Sequence, residues 1–551
     1  MKTVIVSLAS QYIHSTLAPW YLYYSAKELC ASNISVKVLE GTVNENEDDL
    51  AQRISAEKAD LIAFSCYIWN ITLVKKLAER LKSSSVKILL GGPEVSYNPD
   101  ELLSNDFVDF IISGEGERPF AELLNALQND SDLSKISGLC YKAEQGTVIN
   151  SPNTSVEIPV CPYGEEFLNS LGGRIVYLET SRGCPFSCAF CLSGRLGGVR
   201  FFPLDRAKND ILTLAASGSK IIKFVDRTFN ANRQRAFEIW QFIIENYGKK
   251  IPRGVCFHFE IAGDLLKDED FDLLKTAPKG AIQFEIGIQS FNPKTLEAIR
   301  RKTNTERLYE NIKKLCDLGN IHIHIDLIAG LPMEDYESFK SGFNKAFKLS
   351  ADMLQLGFLK LLHGADMRRF KEKYPLEFSK NPPYQVTSTP WLSADEIKSL
   401  HYTENALDRF VGSGRFTLTN NLIFKGEGLN PFDTLTALGK FTDLKSLPLN
   451  DYVEKVYNFF GADTKTLRDA LVLDIASSVK SGSLPKCLMV PDKALREFKK
   501  QLELNPETKK KKGVLRCVFW LYGENCGGYV DYDEKQNGKY IVHKIYPADL
   551  L

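Results

Sequence analysis

The chain lacks an excess of charge of either sign and lacks any apolar run long enough to cross a bilayer. Lys+Arg and Asp+Glu each number 69, so no global basic field argues for nucleic acid and no acidic excess argues for a solvated, disordered chain. No stretch of about 18 apolar residues occurs. The amino terminus, Met1-Lys2-Thr3-Val4-Ile5-Val6, runs straight into a strand-like pattern without a signal-peptide layout. The expectation is a cytoplasmic protein without a membrane partner. A disulfide framework is missing as well: of 12 cysteines over 551 residues, all but three are scattered and read as reduced, buried thiols. What is present, 44% hydrophobic and 25% charged residues, suits a large enzyme. At roughly 150 residues per domain, three or so domains are expected, each with its own core.

The three cysteines set apart are Cys184, Cys188 and Cys191, in Ser181-Arg182-Gly183-Cys184-Pro185-Phe186-Ser187-Cys188-Ala189-Phe190-Cys191. Three close thiolates can hold three irons of a [4Fe–4S] cluster and leave the fourth open, whereas four protein thiolates close every iron to substrate. The apolar run Ile175 to Leu178 precedes them, so the thiolates fall on a loop at the carboxyl end of a strand, where α/β folds place chemistry. The competing reading is three ordinary cysteines or a structural zinc site, since thiolates also select zinc. Zinc usually takes a fourth protein ligand from a second nearby pair, and no such pair follows Cys191.

In this spacing, with Phe190 as the aromatic before the last cysteine, the chain resembles the radical S-adenosylmethionine (SAM) superfamily. The resemblance implies that SAM chelates the open iron and is cleaved by one electron to a 5′-deoxyadenosyl radical. That electron would come from a reductant such as flavodoxin or ferredoxin.

The first 130 residues alternate strand candidates (Thr3 to Leu8, Val36 to Leu39, Leu61 to Ser65, Lys87 to Leu90, Phe110 to Ser113) with helical patterns such as Leu17 to Ala31 and Ile71 to Leu81. That alternation predicts a parallel, flavodoxin-like sheet whose ligand binds beyond the carboxyl ends of the strands. There lie Gly91-Gly92-Pro93-Glu94 and Gly114-Glu115-Gly116-Glu117, which read alone are no more than turns. Ahead of the cysteine motif, however, this region looks like the cobalamin-binding domain of the B12-dependent radical SAM branch. The resemblance implies cobalamin contacts at Ser65, Gly91, Gly92, Gly114 and Gly116. The Asp-x-His-x-x-Gly sequence that supplies a cobalt ligand in other B12 proteins is absent; His14, in the first strand-to-helix loop, reads as a polar loop residue rather than a ligand.

Pro152, Pro159 and Pro162 break periodicity and predict a linker. Six further strand candidates follow (Ile175 to Glu179, Lys220 to Val225, Val255 to Phe259, Ile282 to Ile286, His322 to Ile328, Met353 to Phe358) and predict a partial (β/α)6 barrel. The resemblance implies SAM contacts at strand ends: Asp226 for the amino group, Glu260 nearby, Gln289 with Ser290 at the ribose, Arg301 for the carboxylate, Asp326 for a ribose hydroxyl, and Gly330 in a turn passing adenine. Asp226 has a helix-cap alternative and Arg301 a rival in adjacent Arg300. His363 stands where relatives tend to have proline and is a candidate catalytic proton donor or acceptor, with loop surface as the other reading. Beyond about residue 371 no motif carries chemistry. Val514 to Tyr522 with Gly527-Gly528-Tyr529 predicts a β-hairpin, and Lys509 to Lys512 reads as a solvated loop. This third resembles a carboxyl-terminal domain of unknown function found on some B12-type radical SAM proteins.

The expected organisation is a B12-binding domain over 1–135, a linker over 136–170, a radical SAM core over 171–370 and an α+β domain over 371–551. The expected activity is radical methylation of an unactivated carbon, with one SAM methylating cobalt and a second yielding the radical. Alternatives are a non-methylating rearrangement or cyclisation, or a non-catalytic electron carrier or B12 sensor. The substrate, small molecule or otherwise, is unnamed by the residues, and nucleic acid is disfavoured.

Overall fold

The computed structural model describes residues 1–144, 146–152, 157–426, 428–461, 465–489, 493–536 and 538–546. The chain divides into two compact units. The first comprises Met1–Asp335, Leu349–Asp352 and Phe358–Ser393; the second comprises Tyr336–Lys348, Met353–Gly357 and the chain from Ala394 onward.

The first unit opens with β1 (Lys2–Ala9), α1 (Ala18–Leu29), β2 (Ser35–Thr42), α2 (Glu47–Ser55), β3 (Leu61–Ser65), α3 (Ile71–Leu81), β4 (Lys87–Gly91), α4 (Pro99–Leu103), β5 (Phe110–Ile112) and α5 (Glu117–Asn129). β1, β3, β4 and β5 are near-continuous apolar runs because helices cover both faces of the sheet, the pattern of buried parallel strands, whereas the edge strand β2 is partly exposed. In α3, Ile71, Val74, Leu77 and Ala78 recur at helical spacing and are the residues buried. The order β2–β1–β3–β4–β5 is the flavodoxin-like wrap. The sheet does not stop there. Within the stretch read as linker, β6 (Leu139–Ala143) and β7 (Gly146–Ile149) form a hairpin that adds antiparallel to β5. Its prolines come later, so they end the sheet instead of marking the whole stretch as irregular; residues 145 and 153–156 of that stretch lie outside the described residues.

Then come β8 (Val176–Leu178), β9 (Ser181–Cys184), β10 (Gly198–Phe201), β11 (Ile221–Phe224), β12 (Cys256–Glu260), β13 (Ile282–Gln289), β14 (His322–Ala329) and β15 (Met353–Phe358). β9 and β10 pair as a hairpin; β8, β11, β12, β13 and β14 are strands of the partial barrel at the expected places, and β15 is a strand over the last expected stretch. Within the first unit the parallel order is β14–β13–β12–β11–β8. The outer face is aromatic: Phe224, Phe257, Phe259, Phe284 and Trp240 are fully buried against one another. The inner face is polar, so buried and half-buried residues alternate along β13. An exposed edge at β8 would be an invitation to pair. The loop after β1 covers it, with Ile175 N donating to Ile13 O (2.8 Å) and Ser15 N to Ile175 O (3.1 Å).

The second unit contains helices over Ala394–Ala406, Pro431–Thr442, Leu449–Phe459 and Lys465–Ser478, and an antiparallel sheet of Arg516–Leu521, Cys526–Asp531 and His543–Ile545. The expected hairpin is the first pair of these strands. A buried Arg516–Asp531 ion pair (2.7 and 2.8 Å) clamps it.

Candidate active site

The cysteine loop is built on the β9–β10 hairpin, where Cys184 is the register partner of Gly198. Gly183 sits at φ +95°, and a Cβ there would lie 2.2 Å from Gly198 O, so only glycine fits immediately before the first cysteine. The rest of the loop is held by backbone contacts: Ala189 N donates to Ile299 O (2.8 Å), Met367 N to Ala189 O (2.8 Å), and Cys191 N to Cys188 O (3.0 Å). Cys184 Sγ lies 3.3 Å from Thr228 Oγ1, and Ser193 N donates to Cys191 Sγ (3.4 Å). Burial pushes the Cys188 thiol up, and the guanidinium of Arg301, 3.8 Å away, pulls it back; Cys184 and Cys191 are close enough for their charges to raise it further. The structure thus brings the three cysteines together, with Arg301 beside Cys188. Among the described residues no three His, Cys, Asp or Glu side chains converge on a single-ion position. A cluster differs in this respect, because each of its thiolates binds a different iron.

Beside Cys188, Arg301 also donates to Gly287 O, while its buried Nε has no partner. Gln289 is held at φ +68° with its amide folded over Gly287, where an added Cβ would meet Gln289 Nε2 at 2.0 Å; its buried Oε1 is likewise unpartnered. Two orphaned polar atoms next to the thiols suit a small, highly polar ligand such as SAM. Arg300, the rival, instead pairs with Asp366, which also takes Arg195 (2.5 Å).

Three expected SAM contacts stand differently from their sequence reading. Asp226 accepts from Thr180 N (2.9 Å), Thr180 Oγ1 (2.6 Å) and Ser181 Oγ (2.6 Å), so its carboxylate ties down the start of the cysteine loop; burial pushes it up to about 6. Ser290 donates to Glu334 Oε1 (2.5 Å) and accepts from Asn292 N (2.9 Å), which commits its hydroxyl. Gly330, at φ +83°, is packed so that a Cβ would meet Val386 at 2.4 Å. His363 does not line the cavity described below; it packs edge-on against Tyr384, whose hydroxyl donates to Glu94, and burial lowers its pKa.

Glu260 and Asp326 face the barrel interior and belong to a larger ionic layer that the sequence reading missed. Lys223 Nζ and His258 Nε2 each lie 3.0 Å from Glu285 Oε2, His324 Nε2 lies 3.1 Å from Asp326 Oδ1, and Arg227 lies 3.9 Å from Glu260. Lys223 and His258 hold Glu285 down at about 2 against the effect of burial, whereas burial raises Glu260. The signal was there: ionic residues recur at every second position in Cys256–Glu260 and His322–Ala329.

The expected cobalamin contacts do come together. Ser65, Gly91, Gly92, Gly114 and Gly116 all line one cavity of ≈1250 Å³, whose opposite wall includes Arg182, Gly183, Gly198 and Arg200 of the cysteine hairpin. That exceeds the roughly 300–1,000 Å³ of ordinary ligand pockets and fits a ligand of corrin size. Gly92, at φ +116°, brings backbone against the pocket floor: a Cβ would sit 2.5 Å from Cys66 O. His14 lies outside the cavity, with Nδ1 2.8 Å from Tyr177 OH, so its part is to dock the first loop on β8.

Family models match this arrangement in three consecutive parts: a B12 binding domain over residues 5–124, the radical SAM superfamily over 178–344, and a protein of unknown function (DUF4080) over 372–518. An uncharacterized methyltransferase of Pyrococcus horikoshii is 28% identical over 376 residues, 64% of this chain and 80% of that protein. The cobalamin-dependent radical SAM methyltransferase TokK of Streptomyces tokunonensis is 28% identical over 303 residues, 51% of this chain and 44% of its own length. The solved structure of the cobalamin-dependent SAM radical enzyme OxsB, with aqua-cobalamin and SAM bound, superposes with a TM-score of 0.60 at 15% identity, covering 84% of this chain and 75% of OxsB. The chain therefore carries a B12-binding domain and a radical SAM domain, followed by a domain of unknown function. It is a radical SAM enzyme with a B12-binding domain. No helix among the described residues is long and apolar enough to cross a membrane.

Proposed function

We propose that this enzyme transfers a methyl group to an unactivated carbon of a polar substrate that enters the barrel. The observation that carries the reading is the shared cavity, with the glycine loops of the first domain on one wall and the cysteine hairpin on the other. When bound, the cluster and SAM supply a carbon radical able to abstract hydrogen, and cobalamin supplies the methyl group.

The chain's own residues have separate parts. Cys184, Cys188 and Cys191 would hold the cluster, and the Arg301 guanidinium favours the thiolate of Cys188 while its unpartnered Nε would suit the SAM carboxylate. Gln289, Glu260 and Asp326 offer hydrogen-bond partners at successive strand ends, and Asp226, its lone pairs largely taken by Thr180 and Ser181, orients the loop with at most one position left for the SAM amino group. Ser290 and Gly330 shape the adenosine side through Glu334 and Val386. Ser65, Gly91, Gly92, Gly114 and Gly116 receive the corrin. Burial around Cys188 limits access of water and oxygen, and fixed placement of the reacting groups lowers the barrier. An electron donor such as flavodoxin or ferredoxin completes the cycle.

Anoxically reconstituted protein, given reductant and SAM with an isotopically labelled methyl group, is expected to release 5′-deoxyadenosine and to place label on bound cobalamin. Release of 5′-deoxyadenosine without any label on cobalamin overturns methylation and leaves a radical rearrangement. Absence of both overturns the reading altogether.

A further inference from the structure

Arg182 stands two residues before Cys184, and its guanidinium is surrounded by three carboxylates from two parts of the chain. Nη1 lies 3.0 Å from Glu115 Oε2, Nη2 lies 2.5 Å from Glu117 Oε1, and Nε and Nη2 lie 2.9 and 3.0 Å from the two oxygens of Glu179. The Tyr21 ring covers the group at 5.0 Å. Side-chain exposure is 12% for Arg182, 14% for Glu117 and 13% for Glu179, so the bridge is largely shielded from screening. Arg200, the register partner of Arg182 on β10, holds Glu115 with 2.6 and 2.8 Å contacts.

The two bridged segments are the two walls of the cavity. Glu115 and Glu117 alternate with Gly114 and Gly116 in the loop that opens α5, and Arg182 and Arg200 face one another across the hairpin that ends in the first cysteine. A buried ion network of this kind gives little stability over well-packed apolar residues, because desolvation offsets the attraction; what it gives is one geometry. Only arginine's planar fork can address three carboxylates at fixed angles, and a lysine at this position presents a single point charge.

We propose that Arg182 is a positioning residue that sets the separation between the corrin and the cluster by locking the Gly114–Glu117 loop to the cysteine hairpin. This rests on the functional reading above. Glu117 and Glu115 are the arms that reach across the cavity wall; Glu179, three residues from Arg182 in the chain, orients the guanidinium without spanning anything.

The test uses the full chain loaded with cluster and cobalamin and poised so that both the reduced cluster and cob(II)alamin are paramagnetic. Their magnetic interaction is measured by pulsed EPR, with iron, sulfide and cobalamin affinity measured in parallel. Glu117→Gln and Arg182→Lys are expected to keep wild-type iron and sulfide, to weaken and broaden the interaction, and to raise the cobalamin Kd about tenfold or more, the scale on which a lost buried charge partner weakens a contact. Glu179→Gln, an equal loss of charge at the same guanidinium, is expected to leave the interaction at its wild-type strength. An unchanged interaction in Glu117→Gln, or an equal loss in Glu179→Gln, overturns the proposal while the functional reading stands. Wild-type protein that takes up neither cofactor overturns both.

Discussion

In β1, seven of eight residues are buried, whereas along β13 buried and half-buried residues alternate without a break. Both strands lie in parallel sheets of the same unit. The first sheet carries helices on both faces, so its central strands β1, β3, β4 and β5 are apolar nearly throughout and ligand is met at the strand ends, where the glycine loops are. The second sheet has helices on one face only. Ordinary (β/α)8 barrels fill the interior with branched apolar layers; here Lys223, His258, Glu285, His324 and Asp326 occupy the inner positions instead. A sheet that merely holds a ligand at its rim and a sheet that encloses chemistry therefore differ in one face.

The sharpest way to break this comparison is at the cysteines. Cys188→Ala is expected to abolish cluster incorporation, read as loss of iron, sulfide and brown absorbance. Cys316→Ala should retain all three, since that thiol lies on the barrel's outer helix with burial pushing it up to about 12. Next in size is packing. Leu90→Ala, in the doubly covered sheet and fully buried, is expected to lower unfolding free energy by about 2–5 kcal/mol. Gln283→Ala, on the inner face of β13, should change it by well under about 1 kcal/mol in denaturant titrations. Equal effects would erase the distinction between the sheets.

Glu334 provides a titratable probe of the loops that follow β13 and β14, which its bond to Ser290 links. Burial pushes it up to about 7 from its ordinary 4.5, despite the Ser290 hydroxyl that favours its charged form. Between those values the native protein holds a proton that the unfolded chain has released, so stability falls as pH rises through that window and levels off above it. Glu334→Gln is expected to flatten this slope, the difference reaching roughly 3 kcal/mol across the window in thermal or urea unfolding. The smallest effect belongs to His14→Phe, which should leave the visible spectrum of bound cobalamin unchanged because His14 lies outside the cavity. A shifted spectrum would restore it as a cobalt ligand.

Legibility varied by region for physical reasons. Ile71 to Leu81 and Met353 to Phe358 were readable to the residue, because unbroken periodicity ends at clear polar boundaries. The hairpin of β6 and β7 was not, since its residues are largely exposed beyond the first strand's start and present little pattern. At the site, the cysteine spacing was plain, and the glycine loops gained meaning only beside it. Asp226, Ser290 and Arg300 were ambiguous, because a polar residue at a strand end can face ligand or bind its neighbours with the same local sequence. Their partners, Thr180 and Ser181, Glu334 and Asp366, lie 44 to 66 positions away or in adjoining strands.

Local chemistry pointed to what the chain can bind and to where its strands lie: thiolate spacing, glycine placement and apolar periodicity act between residues a few positions apart and need no knowledge of the fold. Which carboxylates remain free, which arginine stands beside the thiols, and how the corrin wall is tied to the cluster wall through Arg182 depended on folding. These outcomes are pairings between distant segments, each chosen because a buried charge or donor must find a partner once water is removed.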